Sequence, residues 1–181
     1  MVANEHLFSR LPWHDVAQNQ LEALVHEIDS IDGDRLLNTS PDKLCEYFER
    51  KYEIDVPVLV DEKITVQQRE TQIDISRDWN RNVHDRSRPH YIAGTAIDVT
   101  VPYSGDRNVF TIQPTTFTLN PPLAEVRIGA LVFTLKGVQL ASEKVKAEIE
   151  KNITAIRENL ERLRSSADTF NARIRPTVRE A

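Results

Sequence analysis

The chain has 181 residues, 40% of them apolar and 28% charged, and a net charge of −5. That length allows one domain with a true core, and that composition excludes a disordered chain. The acidic balance excludes a uniformly basic surface, so contact with nucleic acid would need a local basic patch. Cys45 is the single cysteine, which leaves no intrachain disulfide and fits a reducing, cytoplasmic location. The opening residues, MVANEHLFSRLPWHD, lack a basic start followed by an apolar run, so no signal peptide is read. No run approaches the length of a membrane span, and no membrane partner is expected.

In chain order, the first block is helical. From Trp13 to Ile31 the residues Ala17, Leu21, Leu24, Val25, Ile28 and Ile31 recur at three- and four-residue steps, one stripe of an amphipathic helix. The stretch DGDR then breaks it. A second helix starts at TSPDKLCEYFERKY, with Ser40 as N-cap, Pro41 at the first helical position and Asp42 in the first turn. Leu44, Tyr47, Phe48 and Tyr52 make its apolar face, and Cys45 reads as a small core residue.

From about residue 56 to 140 the period changes. VPVLV, KITVQQRETQIDIS, HYIAGTAIDVTVPY, NVFTIQPTTFTL, AEVRIG and ALVFTLKGV are rich in Val, Ile, Thr and Phe, which suit pleated strands. Residues 64–76 alternate, and neither face is strongly apolar at the start, so that end of the strand is expected to project into solvent or lie at an edge. Ile97, Val99 and Val101 alternate against Ala96, Asp98 and Thr100. YSGDRN reads as a turn between two strands, and EVRIGALVF as a tight hairpin on Gly129.

The last block, residues 142–181, has no glycine, and its single proline is Pro176. Ile149, Ile153, Ile156, Leu160, Leu163, Ala167, Phe170 and Ile174 fall at alternating steps of four and three, a heptad pattern. A helix of that length is about 60 Å long, more than a small sheet covers. The stripe is therefore expected to mediate self-association or linkage to a further domain through Ile149, Ile153, Ile156, Leu160, Leu163, Phe170 and Ile174. Packing of its first half on the sheet is the alternative. The missing stop signal is what a helix running on into more chain would show. The whole is expected to be α+β: two N-terminal helices, an antiparallel sheet of four to six strands and a long C-terminal helix. It divides into a domain over 1–141 and a helix over 142–181.

Residues 76–91, SRDWNRNVHDRSRPHY, carry four arginines against two aspartates, a local charge of +2. Arg77, Arg81, Arg86, Arg88 and His90 are candidates for binding an anion or nucleic acid, with Trp79 and Tyr91 able to stack a base. A purely structural reading pairs the arginines with Asp74, Asp78 and Asp85 and caps the core with the two aromatics. A hydrolase reading uses His84, Asp85 and His90, but it lacks a nucleophile with a partnered base. A six-residue step from His84 to His90 in a loop is not metal-ligand spacing. With five glycines and no phosphate-loop pattern, no nucleotide cradle is read, and neither a metal nor a cofactor is expected.

Two long phrases, DRLLNTSPDKLCEYFERKYEIDVPVL and DISRDWNRNVHDRSRPHYIAGTAIDVTVPYSGDRNVFTIQPTTF, resemble the N-terminal region of a family of bacterial proteins. In that family such a region precedes a long helix and then a domain similar to restriction-endonuclease-like nucleases, of a kind met in phage defence. The resemblance covers about residues 8–175. It implies nuclease chemistry only in sequence this chain does not contain; the residues themselves lead to the expectation of a non-catalytic recognition or assembly module, with a second copy or a fused effector domain as partner. No nuclease residue can be assigned here.

Overall fold

A short strand, β1 (Glu5–His6), and a second, β2 (Leu11–Pro12), lead into α1 (Trp13–Asp29). This computed structural model describes residues 5–82 and 84–180. The first four residues and Ala181, which the predicted 1–141 and 142–181 divisions include, lie outside the described residues, as does Val83. A short helix, α2 (Gly33–Asn38), occupies the stretch expected only to break α1, so the N-terminal helical block holds three helices rather than two. α3 (Pro41–Tyr52) begins as its sequence dictates. The Ser40 side chain accepts a hydrogen bond from the Lys43 amide and Pro41 sits in the first turn.

The strands that follow are β3 (Val58–Leu59), β4 (Thr65–Asp74), β5 (Tyr91–Ser104), β6 (Ile112–Gln113), β7 (Leu123–Arg127) and β8 (Ala130–Gly137). The chain closes with α4 (Ser142–Glu180). The fold is α+β, with a six-stranded sheet in the order β1-β7-β8-β5-β3 and β4 also pairing with β5. The β4–β5, β5–β8 and β7–β8 ladders are antiparallel. The run NVFTIQPTTFTL departs from expectation. A 3₁₀ turn at Arg107–Thr111 takes its first residues, and only Ile112–Gln113 is strand, paired in parallel with β2. Pro114 removes the next ladder donor, which limits that strand to two residues.

By internal contacts the chain forms two compact units. The first holds Leu59–Tyr103 and Leu123–Thr154, which is most of the sheet with the opening turns of α4. One face of this sheet is built as the alternation predicted: Ile97, Val99 and Val101 lie opposite Leu135, Phe133 and Leu131. On the other face Asp98 accepts hydrogen bonds from Thr134 Oγ1 (2.6 Å) and Arg69 Nε (2.6 Å). The hairpin between β7 and β8 turns on Gly129, whose φ of 74° is the left-handed value such a turn requires. α4 touches this unit through Asn152, whose side chain donates to Leu123 O.

The second unit holds His6–Val58, Ser104–Pro122 and α4 from Ala155 onward. Its core is a cluster of Leu24 and Ile28 from α1, Phe48 and Tyr52 from α3, and Phe170 and Ile174 from α4. Polar ties surround that cluster. Arg175 makes a two-pronged contact with Glu49 (2.7 and 2.8 Å), and Asn171 exchanges hydrogen bonds with the Ile54 backbone. Glu27 on α1 accepts from Lys51, Tyr47 and Tyr52 of α3.

This corrects the expectation for the long helix. Ile153, Ile156, Leu160, Leu163, Phe170 and Ile174 are buried within the chain itself, and Ile149 is half-buried. The heptad stripe is therefore no exposed seam. A helix of about 60 Å outruns a small sheet, and α1 and α3 cover the part around Phe170 and Ile174. Helical hydrogen bonding also continues past Pro176 to Glu180.

Candidate functional site

β4 is an edge strand exposed along nearly all its length, as its two polar faces predicted. It pairs with β5 over ten residue pairs, from Thr65 opposite Thr100 to Asp74 opposite Tyr91. β8 meets β5 only from Thr95 onward. The last four β4–β5 pairs, ending in Ile73 opposite Ile92 and Asp74 opposite Tyr91, thus run beyond the third strand as a two-stranded ribbon. Residues 75–90 cap this arm, and they carry the arginines.

The tip is folded by its own polar groups. Asp74 Oδ1 accepts from the amides of Ser76 (2.9 Å) and His90 (3.0 Å), and Ile75 N donates to His90 O (2.8 Å), so the two ends of the loop are tied together. These donors, the Ser76 amide and hydroxyl first, hold the Asp74 carboxyl below its ordinary range. Asp78 and Asp85 each accept an amide two residues on, from Asn80 and Ser87. Such turns are what aspartates in loops do.

Arg86 is the keystone of this tip. Its guanidinium donates to three backbone carbonyls, Ser76 O (3.0 Å), Asp78 O (3.1 Å) and Arg81 O (2.7 Å). The same group lies over the Trp79 ring at 4.7 Å from its centroid. Arg86 is therefore a structural residue rather than a free anion contact. Arg81 is engaged as well, in an ion pair with Asp78 at 3.2 Å. Arg77 and Arg88 point into solvent, Arg77 within electrostatic reach of Asp74. His90 is exposed, and its role in the loop is carried by its backbone amide.

The aromatics correct the structural reading. Trp79 is 83% exposed and Tyr91 62% exposed, so neither caps a core. Their exposure agrees instead with the reading in which they are able to stack a base, and Trp79 is the most accessible large ring at the tip. Its sequence neighbours, Asp78, Asn80 and Arg81, include no apolar residue to cover it. That polarity was the available signal.

No family model, no curated protein and no solved structure matches this chain.

The hydrolase constellation is not assembled. Asp85 is taken by the Ser87 amide and hydroxyl (2.9 and 2.6 Å), and among the described residues neither His84 nor His90 hydrogen-bonds to it. Those Ser87 donors first, and the nearby His90 after them, hold the Asp85 carboxyl below its ordinary range. Among the described residues no group of three or more His, Cys, Asp or Glu side chains is placed to hold a metal ion. No described helix is long and apolar enough to cross a membrane. A cavity of about 280 Å³ lies beside Cys45 in the second unit, lined by Pro41, Leu44, Val178 and Arg179. Arg179 donates to Asp42 Oδ1 (3.0 Å) there, which ties the end of α4 to α3.

Proposed function

We propose that this chain is a non-catalytic recognition module that grips a polyanionic partner with the tip of its β4–β5 arm. The observation that carries the reading is the tip itself. A loop of charge +2 on a chain of charge −5 holds an exposed tryptophan in a fixed place and leaves Arg77 and Arg88 in solvent. Tryptophan, tyrosine and arginine are the residues that dominate binding energy at macromolecular contacts. The resemblance to regions that precede nuclease-like domains supports a role in guiding a fused or partner effector. Bacterial defence is the setting it suggests.

Titration of a labelled oligonucleotide at several salt concentrations tests the proposal. Affinity is expected to fall linearly on log–log axes, with a slope of about −0.7 to −0.9 per phosphate neutralised. Arg77→Ala and Arg88→Ala should each reduce that slope by about one contact. A chain that shows no anisotropy change with any polyanion at low salt has no such module.

A further inference from the structure

The arm is shaped for one kind of polyanion. Arg86 covers one face of the Trp79 indole and is itself pinned by three carbonyls, so the ring is held rather than swinging free. With one face against the guanidinium and 83% of the residue still exposed, the opposite face is open to solvent. A ring ordered by a cation on one side and bare on the other is a stacking platform. It favours a flat, electron-rich ligand over a bulky or purely charged one.

We infer that Trp79 stacks an unpaired base of single-stranded nucleic acid, with Arg86 as the positioning residue and Arg77 and Arg88 on the flanking phosphates. The inference rests on the arm as the contact surface and adds the partner's chemistry. A duplex hides its base faces in the stack, so it offers Trp79 nothing beyond the phosphates it shares with any polyanion. Single strands present bases one at a time, and stacking on an aromatic side chain tolerates any sequence because every base has a π face. An acidic peptide could satisfy the arginines but has no ring for the platform.

The test compares four probes on the whole chain at low salt: a single-stranded dodecanucleotide, the matching duplex, polyphosphate and polyglutamate. The single strand is expected to bind best and to quench tryptophan fluorescence. That quenching should vanish in Trp79→Ala, which keeps Trp13 as an internal reference. Trp79→Ala should weaken single-strand binding by roughly 5- to 100-fold and leave polyphosphate binding unchanged, while Trp79→Tyr restores most of the affinity. Circular dichroism of each variant checks that the sheet is intact. Equal binding of all four probes with no effect of Trp79→Ala overturns the stacking inference and leaves the arm as a general polyanion grip. Preferential binding of polyglutamate overturns it in favour of a protein partner at the same arm. No binding of any probe overturns both the stacking inference and the recognition reading.

Discussion

At the residue scale, single side chains in this protein spend their polarity on holding elements together. Glu27 is the clearest case. Lys51 first, then Tyr52 and Tyr47, donate to its carboxylate and lower its pKa from the ordinary 4.5 to about 2. A carboxylate with a depressed folded-state pKa stabilises the fold fully above its unfolded value, and the contribution is lost as pH falls through the folded one. The tie between α1 and α3 is therefore expected to be intact above pH about 4.5 and to weaken progressively towards pH 2. Glu27→Gln should lower the melting temperature at neutral pH and flatten its fall between those two values. Thermal melts across that range measure it; a variant whose acid profile overlays the parent's would remove Glu27 from this role.

At the element scale, the arm and the turns owe their shapes to local rules that are strict. Gly105 has a φ of 109°, and a Cβ there would lie 2.9 Å from Pro57 Cα. Both the conformation and the space demand glycine. Gly105→Ala is expected to cost about 1 to 3 kcal/mol, read as a shift in the urea midpoint. A neutral result would mean that the Ser104–Arg107 turn relaxes freely. The hairpin on Gly129, the Ser40 cap and the alternation of β5 were all readable in the same local terms. NVFTIQPTTFTL was not, because its strand propensity is overruled by the 3₁₀ turn that the Asp106 side chain caps and by Pro114.

At the scale of the whole molecule, the chain shelters its own heptad stripe. Leu163 is completely buried, in company with Ile156 and Ile174. The melting temperature is thus expected to be independent of protein concentration, since no second copy is needed to cover that face. Leu163→Glu places an unpaired carboxylate in the interior at a cost of several kcal/mol. It should unfold the chain at every concentration. A seam between copies would behave differently, with the same variant yielding folded monomers in light scattering and circular dichroism.

The sequence by itself determined the elements whose signals are local. These are the cap of α3, the periods of α1, α3 and α4, the edge character of β4, the Gly129 hairpin and the concentration of arginine in residues 76–91. Each follows from spacing, capping or backbone conformation within a few residues. Only the tertiary structure decided which groups remain available. It turned Arg86 inward onto three carbonyls and left Trp79 bare. It also enclosed Phe170 and Ile174 between α1 and α3. Exposure depends on what distant segments cover, and no window of neighbouring residues contains that information.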